Sequence, residues 1–197
     1  FAFALFLCTG MIYACIKFLQ EWATWLTVVN YTLFGGASGF MLATAYSAYA
    51  SPELVNFYAG WTAIITAAVL VTRVASLIRN ARIKPKSTIQ TAIGVRHANV
   101  QQKSQGFLGG SFNTREFFHR APRWVFRSVK WVFLVLVFPI PLLLLWAGVS
   151  LHGVGLATGA ATLVAAFVIQ YLGLMAERWF FFAQANHPQN LYYQTVS

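Results

Sequence analysis

Few residues in this chain have the chemistry to act on a ligand. Its 197 residues hold four carboxylates (Glu21, Glu53, Glu116 and Glu177), four histidines and two cysteines. Thr66 and Arg73 stand seven apart, as do Gln170 and Glu177, and Tyr171 and Arg178. A separation of seven returns to the same helix face, so each pair sets a hydrogen-bonding group in line with a charge. Lys17 adds a cation near the end of the first apolar run, and His187, just beyond the last, is of the residue type that titrates near neutrality. Such groups suit hydrogen bonding to a polar ligand and proton exchange with water. Ionisable groups within apolar segments are functional candidates by default. The plainer alternative is that Arg73 and Arg178 snorkel to headgroups and Glu177 balances a neighbouring Arg.

Other chemistries lack their residues. Cys8 and Cys15 on one helix would lie roughly 10 Å apart, too far for a disulfide. They cannot supply the four thiolates of an iron–sulfur cluster. Membrane haem is commonly held by His within helices, whereas His97, His119, His152 and His187 are placed in loops, turns or the tail. No zinc spacing, nucleophile triad or phosphate-binding glycine loop is present. No haem or metal is expected in this chain.

The elements that must position these residues are membrane helices. The chain is 58% hydrophobic and only 9% charged, against roughly 25% charged in soluble domains. No charge occurs in residues 22–52, 54–72 or 131–176. A hydrocarbon slab selects uncharged runs of about 20 residues per helical crossing. The fold class is therefore all-α integral membrane, a helical bundle with five transmembrane segments. Segments one to three occupy residues 1–79, a basic insertion 80–122, segments four and five 123–183, and a tail 184–197. Segment one is expected to end near residue 20 and to continue a helix that starts before Phe1. Segment two covers about 24–50. Segment three opens at Ser51-Pro52-Glu53, where Ser caps, Pro takes the first helical position and Glu meets the positive dipole end. Segment four runs from about 123 to 149, and Pro139 and Pro141 should kink it. Segment five runs from about 153 to 182, longer than the bilayer core, and must tilt or protrude.

All Lys and Arg except Lys17 and Arg178 lie between Arg73 and Lys130. Alternating crossings put the turn at residues 20–23, the insertion and the tail on one side, with nearly every cation. The positive-inside rule makes that side cytoplasmic. The net charge of +10 thus belongs to topology, lipid headgroups and an acidic partner; nucleic acid is not expected. Gly35, Gly36, Ala37, Ser38 and Gly39 on segment two, and Gly155, Gly159 and Ala160 on segment five, allow close helix packing or room for a flat ligand. Trp22, Trp25, Tyr46, Tyr49, Trp124 and Trp179 read as interfacial anchors.

The insertion exceeds the usual length of a simple connection. Residues 87–94 predict a short helix stopped by Gly94, and residues 113–119 a second. Phe107, Phe112, Phe117 and Phe118 are costly in water and should be buried against the bundle or a partner.

Two strings carry a resemblance. Glu177-Arg-Trp-Phe-Phe-Phe-Ala-Gln-Ala-Asn-His-Pro-Gln-Asn-Leu-Tyr-Tyr193 resembles the C-terminal signature of the dimethyl sulfoxide reductase membrane-anchor family. Gly109-Gly-Ser-Phe-Asn-Thr-Arg-Glu-Phe-Phe-His119 is similar to its branch serving cytoplasmic sulfite dehydrogenases. The resemblance covers the whole chain and implies the C-terminal part of an eight-helix anchor in the bacterial inner membrane. It also implies a complex with an iron–sulfur electron-transfer subunit and a molybdopterin catalytic subunit. The anchor would hold a quinone (ubiquinone or menaquinone) and no metal, passing electrons to it in the sulfite branch and from quinol in the reductase branch.

Quinone exchange moves two electrons and two protons, so its pocket needs donors at the ring carbonyls. Lys17, Thr66, Arg73, Gln170, Tyr171, Glu177, Arg178 and His187 are the candidates, in a pocket between segments one, three and five. Arg96, Lys103, Phe112, Arg115, Phe117, Phe118 and Arg120 are the candidates for docking the iron–sulfur subunit. Two other classes compete: a transporter or channel fragment, which the kinked fourth segment would suit, and a scaffold without chemistry.

Overall fold

In a computed structural model the chain is all-helical among its described residues, which are 1–84, 86, 88–101, 123–155 and 157–185. Helix α1 spans Ala2–Ala14, α2 Trp25–Ala50, and a 3-10 turn Pro52–Leu54 leads into α3, Val55–Ala81. A short α4, Ile89–Ile93, stands in the insertion; α5 (Arg123–Val137), α6 (Pro139–Gly153) and α7 (Thr158–Ala183) follow. Four spans among the described residues are long and apolar enough to cross a membrane: Trp25–Ala50, Pro52–Ala81, Trp124–Gly153 and Thr158–Ala183. The fold is thus a multi-span membrane bundle, with α1 a shorter apolar helix at its side.

Local signals explain most boundaries. Thr24 adopts extended backbone and its hydroxyl accepts from Leu26 N, starting α2. Thr88 and Thr91 exchange hydrogen bonds in a capping box around α4, and Gly94, at φ 73°, ends it in the left-handed region where a side chain would be strained. Pro139 and Pro141 divide segment four at Phe138 (φ −110°, ψ −77°), because neither can donate to the preceding turn. Two expectations are corrected. Ser51 makes no side-chain cap; its carbonyl instead accepts from Leu54 N in the 3-10 turn. Segment one stops at Ala14 rather than near Gln20, because Leu19 and Trp22 turn back to bury against Phe181 and Ala185.

Packing follows a spacing of three and four. On α3 the buried residues are Val55, Ala59, Thr62, Thr66, Val69, Arg73 and Ser76, and on α7 they include Gly159, Leu163, Ala166, Gln170, Gly173 and Glu177. Residues at that spacing keep one stripe of each helix turned into the bundle. α2 packs on α3, α5 and α6 on α7, α1 on α2, and α2 also on α7. Met41, Ala45, Val55, Ala59, Leu145, Leu163 and Ala166 fill one end of the core, and Phe34, Ala37, Val69, Val137 and Phe138 fill its middle. At the other end, Arg79 Nη2 donates to Gln20 O at 3.1 Å and Trp22 Nε1 to Phe181 O at 3.0 Å. The 20–23 turn and the C-termini of α3 and α7 therefore meet at one end, the basic end. Trp22 is accordingly buried rather than an anchor, whereas Trp25, Tyr46, Tyr49 and Trp124 are exposed to the surroundings of the bundle.

Candidate functional site

The inward faces of α3 and α7 bring two of the expected residues together. Arg73, 2% exposed, places Nη2 at 2.7 Å from Oε1 of Glu177, which is fully buried. Glu177 turns its other oxygen to the next residue: Oε2 accepts from Arg178 Nε at 2.6 Å and also meets Arg178 Nη2. One carboxylate is thus clamped between two guanidinium groups. A buried charge in a bundle needs an opposite partner, and Glu177 gives one to Arg73 and to the partly exposed Arg178, while Arg73 Nε is buried without a hydrogen-bond partner among the described residues.

Aromatic faces complete the cluster. The Arg178 guanidinium lies 4.1 Å from the Tyr31 ring centroid, 5.1 Å from Phe181 and 5.6 Å from Phe34, and that of Arg73 lies 5.6 Å from Phe133. Ring faces carry negative potential and attract a desolvated cation. Tyr13 stacks on Tyr31 at 5.4 Å and meets Trp22 edge-on at 5.4 Å, and Trp22 stacks on Phe181 at 5.1 Å. This aromatic box fixes the position of Arg178 from behind.

Arg178 is 29% exposed at the side chain, and what it faces is a groove of about 350 Å³. Leu5, Phe6 and Thr9 of α1, Tyr31, Phe34, Gly35 and Ser38 of α2, and Leu174 and Arg178 of α7 line it. Gly35 lies against the Phe6 ring of α1: a Cβ at that position would come within 2.6 Å of the ring's far edge, so the ring would have to move aside. The hydroxyl of Thr9 donates to Leu5 O at 2.8 Å and that of Ser38 to Gly35 O at 3.2 Å. Nε and Nη2 of Arg178 are turned to Glu177, and its partly exposed guanidinium is the one cation among the lining residues. The groove is an apolar slot with one cationic donor at its basic end, suited to a flat ring bearing an oxygen acceptor and an apolar tail.

The remaining candidates fall as follows. Thr66 and Gln170 are buried on the Arg73 and Glu177 faces, away from the groove lining, and among the described residues Thr66 Oγ1 and both Gln170 amide atoms lack a hydrogen-bond partner. Tyr171 is 52% exposed and packs on Phe167 at 6.0 Å, facing outward. Lys17 is exposed in the turn after α1. The groove is walled by α1, α2 and α7, whereas the expected pocket lay between segments one, three and five; α3 contributes Arg73 from behind. Arg96 is exposed beyond α4, while His187, Lys103, Phe112, Arg115, Phe117, Phe118 and Arg120 lie outside the described residues. Tyr31 was missed: it sits mid-segment with no charged neighbour in sequence, and its partners come from other helices. Among the described residues no group of three or more His, Cys, Asp or Glu is placed to hold a metal ion.

No family model and no solved structure matches the chain. It is 57% identical over 195 residues, 98% of its length, to the C subunit of sulfite dehydrogenase from Allochromatium vinosum, and it spans 58% of that protein's length. Identity of that extent covers every helix described above, including the Glu177–Arg178 end of α7. The chain is thus similar to a sulfite dehydrogenase C subunit over nearly its whole length, in keeping with the resemblance carried by the strings around Arg115 and Glu177.

Proposed function

We propose that the chain is part of a membrane anchor that passes electrons between a soluble iron–sulfur subunit and membrane quinone, in a complex whose molybdopterin subunit oxidises sulfite. The observation that carries this reading is the groove at Arg178. Its apolar walls and volume fit a quinone ring with the start of its tail, and the Arg178 guanidinium supplies a charge-assisted hydrogen bond to a ring oxygen. Kinship with the C subunit of a sulfite dehydrogenase supports sulfite as the electron source. The quinone is ubiquinone or menaquinone; iron–sulfur clusters and molybdopterin belong to the partners.

The finer organisation is part of the proposal. α1 counts as a fifth membrane segment, and the five correspond to five of the eight helices of a full anchor. The insertion at 80–122 and the tail at 184–197 face the cytoplasm of a bacterial inner membrane, since the described Lys and Arg gather at one end. There Arg96, Lys103, Arg115 and Arg120 meet acidic groups of the iron–sulfur subunit, with Phe112, Phe117 and Phe118 buried in the same contact.

The experiment is sulfite-dependent reduction of a short-chain quinone by the purified complex. Arg178→Ala should lower turnover by about a hundredfold, the scale of losing one preorganised charged donor, with both partners still co-purifying. Full turnover in an assembled complex would remove the groove from the electron path. Arg115→Glu with Arg120→Glu should release the soluble subunits from membranes, and their full retention would refute the docking surface.

A further inference from the structure

The cluster behind the groove does not balance its charge. Arg73 and Arg178 bring two positive charges and Glu177 one negative, all in direct contact. The groups facing Arg178 are Glu177 on its own helix, Tyr31 and Phe34 on α2, Arg73 across from α3, and Tyr13 of α1 behind Tyr31. The groove lining from α1 is Leu5, Phe6 and Thr9, and from α2 and α7 it adds no acid. The aromatic faces soften the excess but carry no net charge. Within this cluster of described residues one positive charge is therefore in excess, and through Arg178 it borders an apolar slot, where it is poorly screened and costly.

We propose that the groove selects the ionised form of an oxygen-bearing ring, binding an anionic hydroxyquinone or a quinol that has lost one proton more tightly than the neutral ring. This rests on the quinone reading of the groove. The ring oxygen takes the place of a second carboxylate: it accepts from the Arg178 guanidinium and brings the cluster to neutrality. The consequence for the exchange reaction is an order of events. Negative charge arriving on the ring is met by Arg178 at once, and the proton can follow from water later.

The test compares two probes of nearly the same shape on the full complex in nanodiscs of zwitterionic lipid at neutral pH. One is a hydroxynaphthoquinone, a vinylogous acid ionised under these conditions; the other is its methyl ether, which cannot ionise. The ionised probe should bind at least about tenfold more tightly, a modest gain for one charge pair in a partly dry site. Arg178→Gln should bring the ratio close to one, and Arg178→Lys should restore part of it. Equal affinity of the two probes for the unaltered protein would overturn the charge selection while leaving the quinone groove standing. Binding of neither probe would overturn the groove reading itself, and this inference with it. Loss of the ionised probe's advantage specifically when anionic lipid is added would identify lipid phosphate as the balancing anion and likewise overturn the proposal.

Discussion

Arg73 on α3 and Glu177 on α7 meet at 2.7 Å across the bundle, and this contact ties the third and last membrane segments at the end where the basic residues gather. The two helices make few close backbone approaches elsewhere; their connection is carried by side chains. Glu177 in turn holds Arg178 in place beside Tyr31, so the geometry of the groove depends on a pair that never enters it.

The charge balance predicts an order of damage within this cluster. Glu177→Gln leaves the buried Arg73 guanidinium, with Arg178 nearby, without its anion and should cost about 3–5 kcal/mol. Arg73→Met leaves Glu177 paired with Arg178, a neutral couple, and should cost less than half as much. Thermal unfolding of the purified protein in detergent reads both; a larger loss for Arg73→Met would mean that Glu177 is not the hub.

Gly35→Leu should separate α1 from α2 without unfolding the rest. Its side chain would occupy the space of the Phe6 ring, whereas the next residue, Gly36, is the one that faces Ile65 of α3. Hydrogen exchange should rise in α1 and stay slow in α3 and α7, and quinone affinity should fall at least about tenfold with one wall of the slot displaced. Unchanged affinity with a displaced α1 would show that α2 and α7 suffice for the site.

Trp22→Phe removes an indole N–H that donates to Phe181 O at 3.0 Å in a buried setting. It keeps much of the stacking on Phe181 but leaves that carbonyl without this donor, at a cost of about 1–3 kcal/mol. The end of α7 should loosen and Arg178 lose part of its alignment, visible as a weaker ligand affinity accompanying the lower unfolding temperature.

Much of the architecture was legible because lipid imposes simple rules. Uncharged runs marked the spans, Thr24 and Gly94 marked helix ends, and Pro139 with Pro141 marked the break at Phe138. Glu177 was legible too, as the one acid within the last apolar segment. Its pairing was not: the neighbour in sequence and the partner on α3 both reach it, and i,i+1 residues on a helix do not ordinarily face each other. Trp22 read as an interfacial anchor because a Trp beside a segment end usually is one; only the return of the 15–24 turn onto Phe181 buries it. Tyr31 carried no signal at all. Its role arises where three helices converge on Arg178, and pairings between helices leave no trace in the periodicity of any one of them.

Thr66 and Gln170 hold the last prediction. Each lies two turns before its partner in the Arg73–Glu177 contact, on the same faces, so the two share a level of the bundle. Thr66 Oγ1, Gln170 Oε1 and Gln170 Nε2 are buried, and none of them has a hydrogen-bond partner among the described residues. Buried amides without partners are rare because each forfeits its hydration, and a site with several polar atoms is the kind that ordered water fills. A water bridging Thr66 to Gln170 would convert all three atoms from a cost into a link between α3 and α7. Gln170→Leu should then destabilise the protein by about 1–2 kcal/mol, and Thr66→Val added to it should cost little more, since both remove one shared bridge. If the polar atoms were instead dry, the same substitutions would raise the unfolding temperature by relieving uncompensated desolvation, so the sign of the shift decides between a hydrated and a dry seam.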